Sequence, residues 1–298
     1  MPSHFVFITD NHHQVGASAG EPGKAPRTQR ILEALVPQVN ALSPDFVLHG
    51  GDVVAGHGGC DDKGDRYERA IEEAARILTG LTAPLHVIPG NHDRDPVDGS
   101  FARFTERIEF PDVLEIVEVG PRLRVALANV YESELPGVHH GLWTEDQDRL
   151  LREAAASALE DRCALILLQH AWVLEPRRLP DGTPIGAVKR CLELRETIAG
   201  CPAIVAVLTG HRHRNRISVV RDYLVADTGC LVEAPMGFRE IWLQDDGTFL
   251  TRWHRLDAPD LVKSAFASRT EEQNDRSEGE EWDRNAEIFL PRLFDLWN

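Results

Sequence analysis

The chain has 298 residues, 42% hydrophobic and 27% charged, the make-up of a folded globular protein long enough to bury a sizeable core. Its 32 Lys and Arg against 48 Asp and Glu give a net charge of −16, a field that repels nucleic-acid backbones and anionic membranes. Neither is an expected partner. An anionic substrate would be held only where the site carries its own positive charge, as bound cations would provide.

The five cysteines (Cys60, Cys163, Cys191, Cys201, Cys230) are odd in number, irregularly spaced and mostly set in apolar stretches, and they read as reduced core residues. The apolar run behind Met1 is too short for a signal peptide. No segment approaches the roughly 20 apolar residues of a membrane span. A cytoplasmic location is expected.

In chain order, residues 4–9 form an apolar run ending at Asp10, residues 28–42 have helical spacing, residues 45–49 are a second apolar run, and residues 65–80 a second helical stretch. Residues 85–89 follow as a strand. Residues 144–160 predict a helix opened by a capping box of Thr144 and Gln147. Strand 163–169, helix 187–199 and strand 203–209 continue the alternation, which is the βαβ signature of an α/β sheet. Each of the five strands runs into a polar or glycine-containing corner.

From 215 to about 255 the texture changes to hairpin-like runs at 216–220, 223–227, 239–243 and 249–254, with Asp246-Gly247 as a tight turn. These predict a second, mostly antiparallel sheet. Residues 268–284 are polar and acidic, read as a solvated linker or helix, and residues 288–297 as a docking C-terminal helix. With no repeat and no Pro/Gly linker, the expectation is one domain over residues 1–263. An acidic extension over 264–298 would shape a pocket rim or a homo-oligomer.

The chemistry sits at the strand ends. Asp10 and His12 follow the first strand as D-x-H, Gly51-Asp52 the second, and Gly90-Asn91-His92-Asp93 the third. His170 follows strand 163–169, and Gly210-His211-Arg212-His213 follows strand 203–209. Loops leaving one end of a parallel sheet converge, so residues far apart in sequence can form one cluster. Each piece alone has a bland reading as turn chemistry or a core histidine; the ordered set of five does not. Carboxylates, imidazoles and a neutral amide suit transition ions, and the donors are too many for one tetrahedral site. Two ions about 3.5–4 Å apart would use them, with Asp52 as the bridging carboxylate.

Among the other histidines, His4, His13, His49, His57, His86, His139, His140 and His254 read as structural or surface groups. His13 is expected to point away from its neighbour His12, and His57 is the candidate among them for contact with a ligand or substrate. Arg212 and Arg214 either hold a phosphate oxygen or are simply solvated.

The ordered blocks D-x-H, GD, GNHD, lone His and G-H-x-H, spanning Asp10 to His213, resemble the calcineurin-like metallophosphoesterase superfamily. The resemblance implies an α/β fold, a four-layer α/β/β/α sandwich with two mixed β-sheets. It implies one ion on Asp10, His12, Asp52 and His213 and the other on Asp52, Asn91, His170 and His211. His92 is then free to contact the phosphate or leaving group, with Asp93 orienting it. The segment 228–241, TGCLVEAPMGFREI, and the Gly141-Leu142-Trp143 turn look similar to the cyclic-nucleotide phosphodiesterase-like branch, although Gln169-His170-Ala171-Trp172 departs from the common His-x-Pro form.

The implied cofactors are two metal ions per chain, manganese or iron first, with zinc also accommodated. The implied activity is hydrolysis of a phosphate ester by a metal-bridging hydroxide, a phosphodiester of a small molecule or nucleotide being favoured. A phosphomonoesterase or nucleotide pyrophosphatase uses the same chemistry, and a metal-binding scaffold without turnover is the alternative of another class. Retention of His92 argues against the scaffold.

Overall fold

The computed structural model describes residues 3–15, 24–56, 64–131, 140–174, 177–178, 184–185 and 187–298. His57, His139 and Cys60 lie outside the described residues.

The first strand, β1 (Ser3–Ile8), shows how the layers arise. Its side chains alternate: Phe5 and Phe7 enter one buried cluster, Val6 and Ile8 another. A strand buried on both faces reads as an unbroken apolar run, as this one does. Helix α1 (Lys24–Leu42) leads to β2 (Phe46–His49), and α2 (Asp65–Leu78) to β3 (Leu85–Val87). β1, β2 and β3 pair in parallel. The tyrosine and small apolar residues of α2 (Tyr67, Ala70, Ile71, Ala74) pack with Ile31, Leu32 and Leu35 of α1 on the outer face of this sheet.

A 3₁₀ turn (Asn91–Asp93) and a short helix, α3 (Ala102–Thr105), precede β4 (Leu114–Gly120) and β5 (Leu123–Ala128). Helix α4 (Glu145–Glu160), strand β6 (Ala164–Gln169), the two-residue strands β7 (Arg177–Arg178) and β8 (Pro184–Ile185), helix α5 (Cys191–Gly200) and strand β9 (Ile204–Thr209) follow. Thr144 caps α4, its hydroxyl accepting from the Gln147 N–H at 3.1 Å while the Gln147 side chain accepts from the Thr144 N–H at 3.0 Å. The hairpin strands are β10 (Arg216–Val220), β11 (Tyr223–Asp227), β12 (Gly237–Leu243) and β13 (Thr248–Arg255). The chain closes with α6 (Pro259–Ala267), α7 (Glu271–Glu278), α8 (Glu281–Arg284), β14 (Ala286–Phe289) and α9 (Pro291–Trp297).

One six-stranded sheet has the order β14-β13-β12-β1-β2-β3 and the other β10-β11-β9-β6-β5-β4. Both are mixed: β5, β6, β9 and β11 run parallel, while β4 and β10 add antiparallel edges. Phe5, Phe7, Phe46 and Leu48 face Val125, Leu127, Ile166 and Leu168 between the sheets, and α4 and α5 cover the far side of the second sheet. The architecture is therefore the four-layer α/β/β/α sandwich.

Three readings differ from the sequence expectation. The hairpin β4/β5 was not anticipated; β4 is a half-exposed edge whose Glu115 and Glu118 interrupt the apolar run. The hairpins at 216–227 and 237–255 do not build a sheet of their own, because β11 pairs with β9 and β12 with β1. Residues 288–297 are not one helix: Ala286–Phe289 pairs with β13, and only Pro291–Trp297 is helical. The expected boundary after residue 263 falls inside α6 (Pro259–Ala267), and Ile288, Leu290, Leu293, Leu296 and Trp297 join the core between the sheets.

Candidate metal centre

The motif residues all follow strand ends: Asp10 and His12 leave β1, Asp52 leaves β2, Asn91, His92 and Asp93 leave β3, His170 leaves β6, and His211 and His213 leave β9. Backbone bonds stitch these loops together. The Asp10 N–H donates to the Gly51 carbonyl and the His12 N–H to the Asp52 carbonyl, both at 3.0 Å. The Gly210 N–H donates to the His170 carbonyl at 3.1 Å, and the His211 N–H to Oδ2 of Asp10 at 3.0 Å, which joins the two sheets at the cluster.

Five of these residues hold left-handed backbone: Asp10 (φ 55°), His12 (φ 43°), Asp52 (φ 54°), His211 (φ 68°) and His213 (φ 50°). Such conformations cost on the order of 1–2 kcal/mol each for residues with a Cβ, and their concentration in one cluster is a mark of function. Glycine makes the room. A Cβ at Gly90 would overlap the Asp52 carboxylate, and one at Gly210 would overlap Oγ1 of Thr9 and the Asp10 carboxylate.

The side chains converge in three groups: Asp10 with His12 and His213, His12 with Asp52 and His92, and Asp52 with His170 and His211. Nε2 of His213 lies 3.2 Å from Oδ1 of Asp10. Oδ2 of Asp52 lies 3.1 Å from Nε2 of His170 and 3.6 Å from Nε2 of His12. Asn91 joins through its Oδ1, 2.9 Å from Nδ1 of His211. Nε2 of His12 and Nε2 of His213 are 3.1 Å apart. Two imidazole nitrogens that close share either a proton or a cation.

Electrostatics agree. Burial alone would push the Asp10 carboxyl up, but His213 and His170 outweigh it and hold it well below the carboxylate range. Burial opposes ionisation of Asp52 too, and His170 and His92 again prevail. Burial lowers His170, yet Asp52 and Asp10 raise it to about 9. Burial, with repulsion from His170, keeps His211 well below its usual value.

The donor set fits metal ions. Nδ1 of His170 donates to the Gly50 carbonyl at 2.6 Å, so the nitrogen facing Asp52 is Nε2, fully buried and set against the Asp52 carboxylate at 3.1 Å. A histidine oriented through one nitrogen and presenting the other to a carboxylate is how proteins set imidazole ligands.

Neighbouring histidines are used differently. His13 points away, with Nε2 2.9 Å from Oε2 of Glu73 on α2. His49 is buried with Nε2 2.5 Å from Oδ1 of Asn11, and burial lowers it to about 3. Asp93 does not hold the His92 imidazole. Its oxygens accept from the backbone N–H groups of Val54 (2.9 Å) and Gly90 (2.8 Å), so it positions the loop through its backbone. The His92 N–H in turn donates to Oδ1 of Asp52 at 2.8 Å.

Two contributors were missed in the sequence. Thr9 donates to Oδ2 of Asp10 at 2.6 Å, and Oε2 of Glu233 lies 3.7 Å from Nδ1 of His213, held there by Arg269 at 2.9 Å. Glu233 belongs to the TGCLVEAPM segment, but nothing in that run signals its neighbour.

A family model for calcineurin-like phosphoesterases matches residues 3–215. The chain belongs to this family. As a calcineurin-like phosphoesterase it is a metal-dependent phosphoric ester hydrolase, of a family that works with two metal ions. It is 26% identical over 249 residues to the 3′,5′-cyclic adenosine monophosphate phosphodiesterase CpdA of Escherichia coli, covering 76% of this chain and 80% of the relative. It is 31% identical over 175 residues, 56% of each chain, to a Rhodopseudomonas palustris protein described as "Probable cyclic nucleotide phosphodiesterase". Among solved structures it resembles a dimetal phosphatase from Danio rerio, with TM-score 0.66 and 15% identity over 84% of this chain and 95% of that one. That likeness establishes the fold.

Proposed function

We propose that this phosphoesterase hydrolyses a phosphodiester of a small molecule or nucleotide, using two ions, one held by Asp10, His12, Asp52 and His213 and the other by Asp52, Asn91, His170 and His211. The observation that carries the reading is the position of Asp52, whose Oδ2 lies within 3.6 Å of His12 on one side and 3.1 Å of His170 on the other. The relatives described as cyclic-nucleotide phosphodiesterases support the diester preference. Manganese or iron suits the mixed oxygen and nitrogen donors.

When bound, the ions supply an activated water and neutralise charge on the phosphoryl oxygens. The chain's own residues do the rest. Asp10 and Asp52 stay ionised at neutral pH because the histidines around them outweigh burial. Gly50 fixes the tautomer of His170. His92, whose ring centroid lies 4.9 Å from that of His12, faces the reacting centre and protonates the leaving oxygen. A cytoplasmic location belongs to the same reading, supported by the free thiols of Cys163, Cys191, Cys201 and Cys230.

The test of His92 is leaving-group dependence. His92→Ala is expected to keep its metal content and to lose about 10²–10⁴-fold on an alkyl phosphate ester but much less on a nitrophenyl ester. Equal losses on both esters would make His92 a stabiliser of phosphoryl charge, and loss of metal would make it a ligand beside His12 and Asp52.

A further inference from the structure

The loop that carries His211 and His213 also carries a row of arginines, and the row converges on one indole. The guanidinium carbons of Arg212, Arg214 and Arg216 lie 5.6, 4.1 and 5.8 Å from the ring centroid of Trp172. Trp172 is two residues beyond His170, so the indole is anchored by the chain that brings another candidate ligand. It is 3% exposed, and its Nε1 has no hydrogen-bond partner among the described residues. Arg212 and Arg214 lie in the bent loop that carries the candidate ligands and Arg216 opens β10, so it is the fold of this loop that brings the three guanidinium groups to one ring.

Three cations around one ring repel each other, and cation–π attraction on the order of 0.5–2 kcal/mol apiece offsets that only in part. Arg214 ion-pairs with Asp227, Nε to Oδ2 at 3.2 Å, whereas Arg216 is exposed and has no carboxylate partner among the described residues. In a chain with a net charge of −16, such a concentration of positive charge beside the centre is a local inversion of the field. Arg214 and Arg216 also line a cavity of about 400 Å³. Its other walls carry Asp275, Glu280 and Asp283 together with Arg276, so an anion entering it is held against the arginines and away from the carboxylates.

We infer that Arg212, Arg214 and Arg216, stacked on Trp172, form a second anion subsite that takes a further phosphate group of the substrate, so that the preferred ester is a nucleotide carrying a second phosphate. The inference deepens the hydrolase reading above and rests on it for the word substrate, but not for the binding site. Guanidinium groups match phosphate oxygens through paired N–H donors, and the buried ring keeps them preorganised. Cyclic monophosphates, which carry one negative charge, leave this subsite empty.

The test is calorimetric binding to the manganese-loaded protein of two probes that differ by one phosphate, α,β-methylene adenosine diphosphate and adenosine monophosphate. Manganese is kept in excess so that both probes are equally complexed. The diphosphate analogue is expected to bind at least about tenfold more tightly, the size of one charge-assisted hydrogen bond. Arg216→Gln, at an exposed position, should bring the ratio close to one at an unchanged melting temperature, and Arg216→Lys should keep part of it. Equal affinities in the wild type, or an undiminished ratio in Arg216→Gln, would overturn the subsite. Absence of turnover on bis(p-nitrophenyl) phosphate would instead sink the phosphodiester reading, while the binding ratio would still decide the subsite.

Discussion

Nε2 of His170 faces Oδ2 of Asp52 at 3.1 Å, while Nδ1 of the same ring is held by the Gly50 carbonyl at 2.6 Å. The ring is fully buried, so it can neither turn away nor be hydrated. With Nδ1 as donor, Nε2 completes its coordination with a proton or with an ion. His170→Ala is therefore expected to lose one of two ions per chain, leaving the group of Asp10, His12 and His213 intact. Elemental analysis of the purified variant reads this directly; two ions retained would remove His170 from the ligand set.

Arg239 joins the sheet of β1 to the C-terminal segment from a fully buried position. Its Nε donates to Oγ1 of Thr228 at 3.1 Å, Nη1 to Oγ1 of Thr251 at 3.2 Å, and Nη2 to Oδ1 of Asn215 at 3.2 Å and to the Asp283 carbonyl at 2.9 Å. Burial lowers it to about 10, so it remains charged at neutral pH. Arg239→Met should cost about 3–5 kcal/mol, because the acceptors are stranded along with the lost bonds. Urea unfolding would measure it, and a loss below about 1 kcal/mol would mean that water replaces the guanidinium.

The central strands were legible because their runs are apolar on both faces, and the ligand loops because each block stands at a strand end in order. Thr144 and Gln147 formed the capping box read from their spacing. What escaped had a weaker local signal. In β14, Ala286 and Ile288 alternate with Glu287 and Phe289 over only four residues, and the apolar residues that follow at Leu290, Leu293 and Leu296 extend the pattern into a helical one. Asp93 was adjacent to His92 in sequence, yet its bonds go to Gly90 and Val54, because a carboxylate beside unpaired backbone N–H groups in a tight turn satisfies those first. Glu233 reaches His213 through folding alone, across about twenty residues of chain.

Asp227 sets a pH dependence of stability. Burial raises its carboxyl from 3.8 to about 7 against the pull of Arg214. A carboxyl that holds its proton more tightly when folded makes unfolding release that proton between these two values, so its contribution falls as pH rises from about 4 to about 7 and is level above. Asp227→Asn removes the titrating group at constant shape. The difference in unfolding free energy between variant and wild type should therefore change across this window, with a slope of at most about 1.4 kcal/mol per pH unit. A difference constant from pH 4 to 7 would show that Asp227 ionises at its ordinary value.

The central claim is that one carboxylate, Asp52, serves two ions at once. The most direct measurement is the metal content of the manganese-loaded wild type and of Asp52→Ala, alongside hydrolysis of bis(p-nitrophenyl) phosphate. The account predicts two ions per chain and turnover in the wild type, with both sites depleted and turnover lost in the variant, because metal affinity resides in the shared ligand. An Asp52→Ala protein that still holds two ions and turns over at the wild-type rate would contradict it.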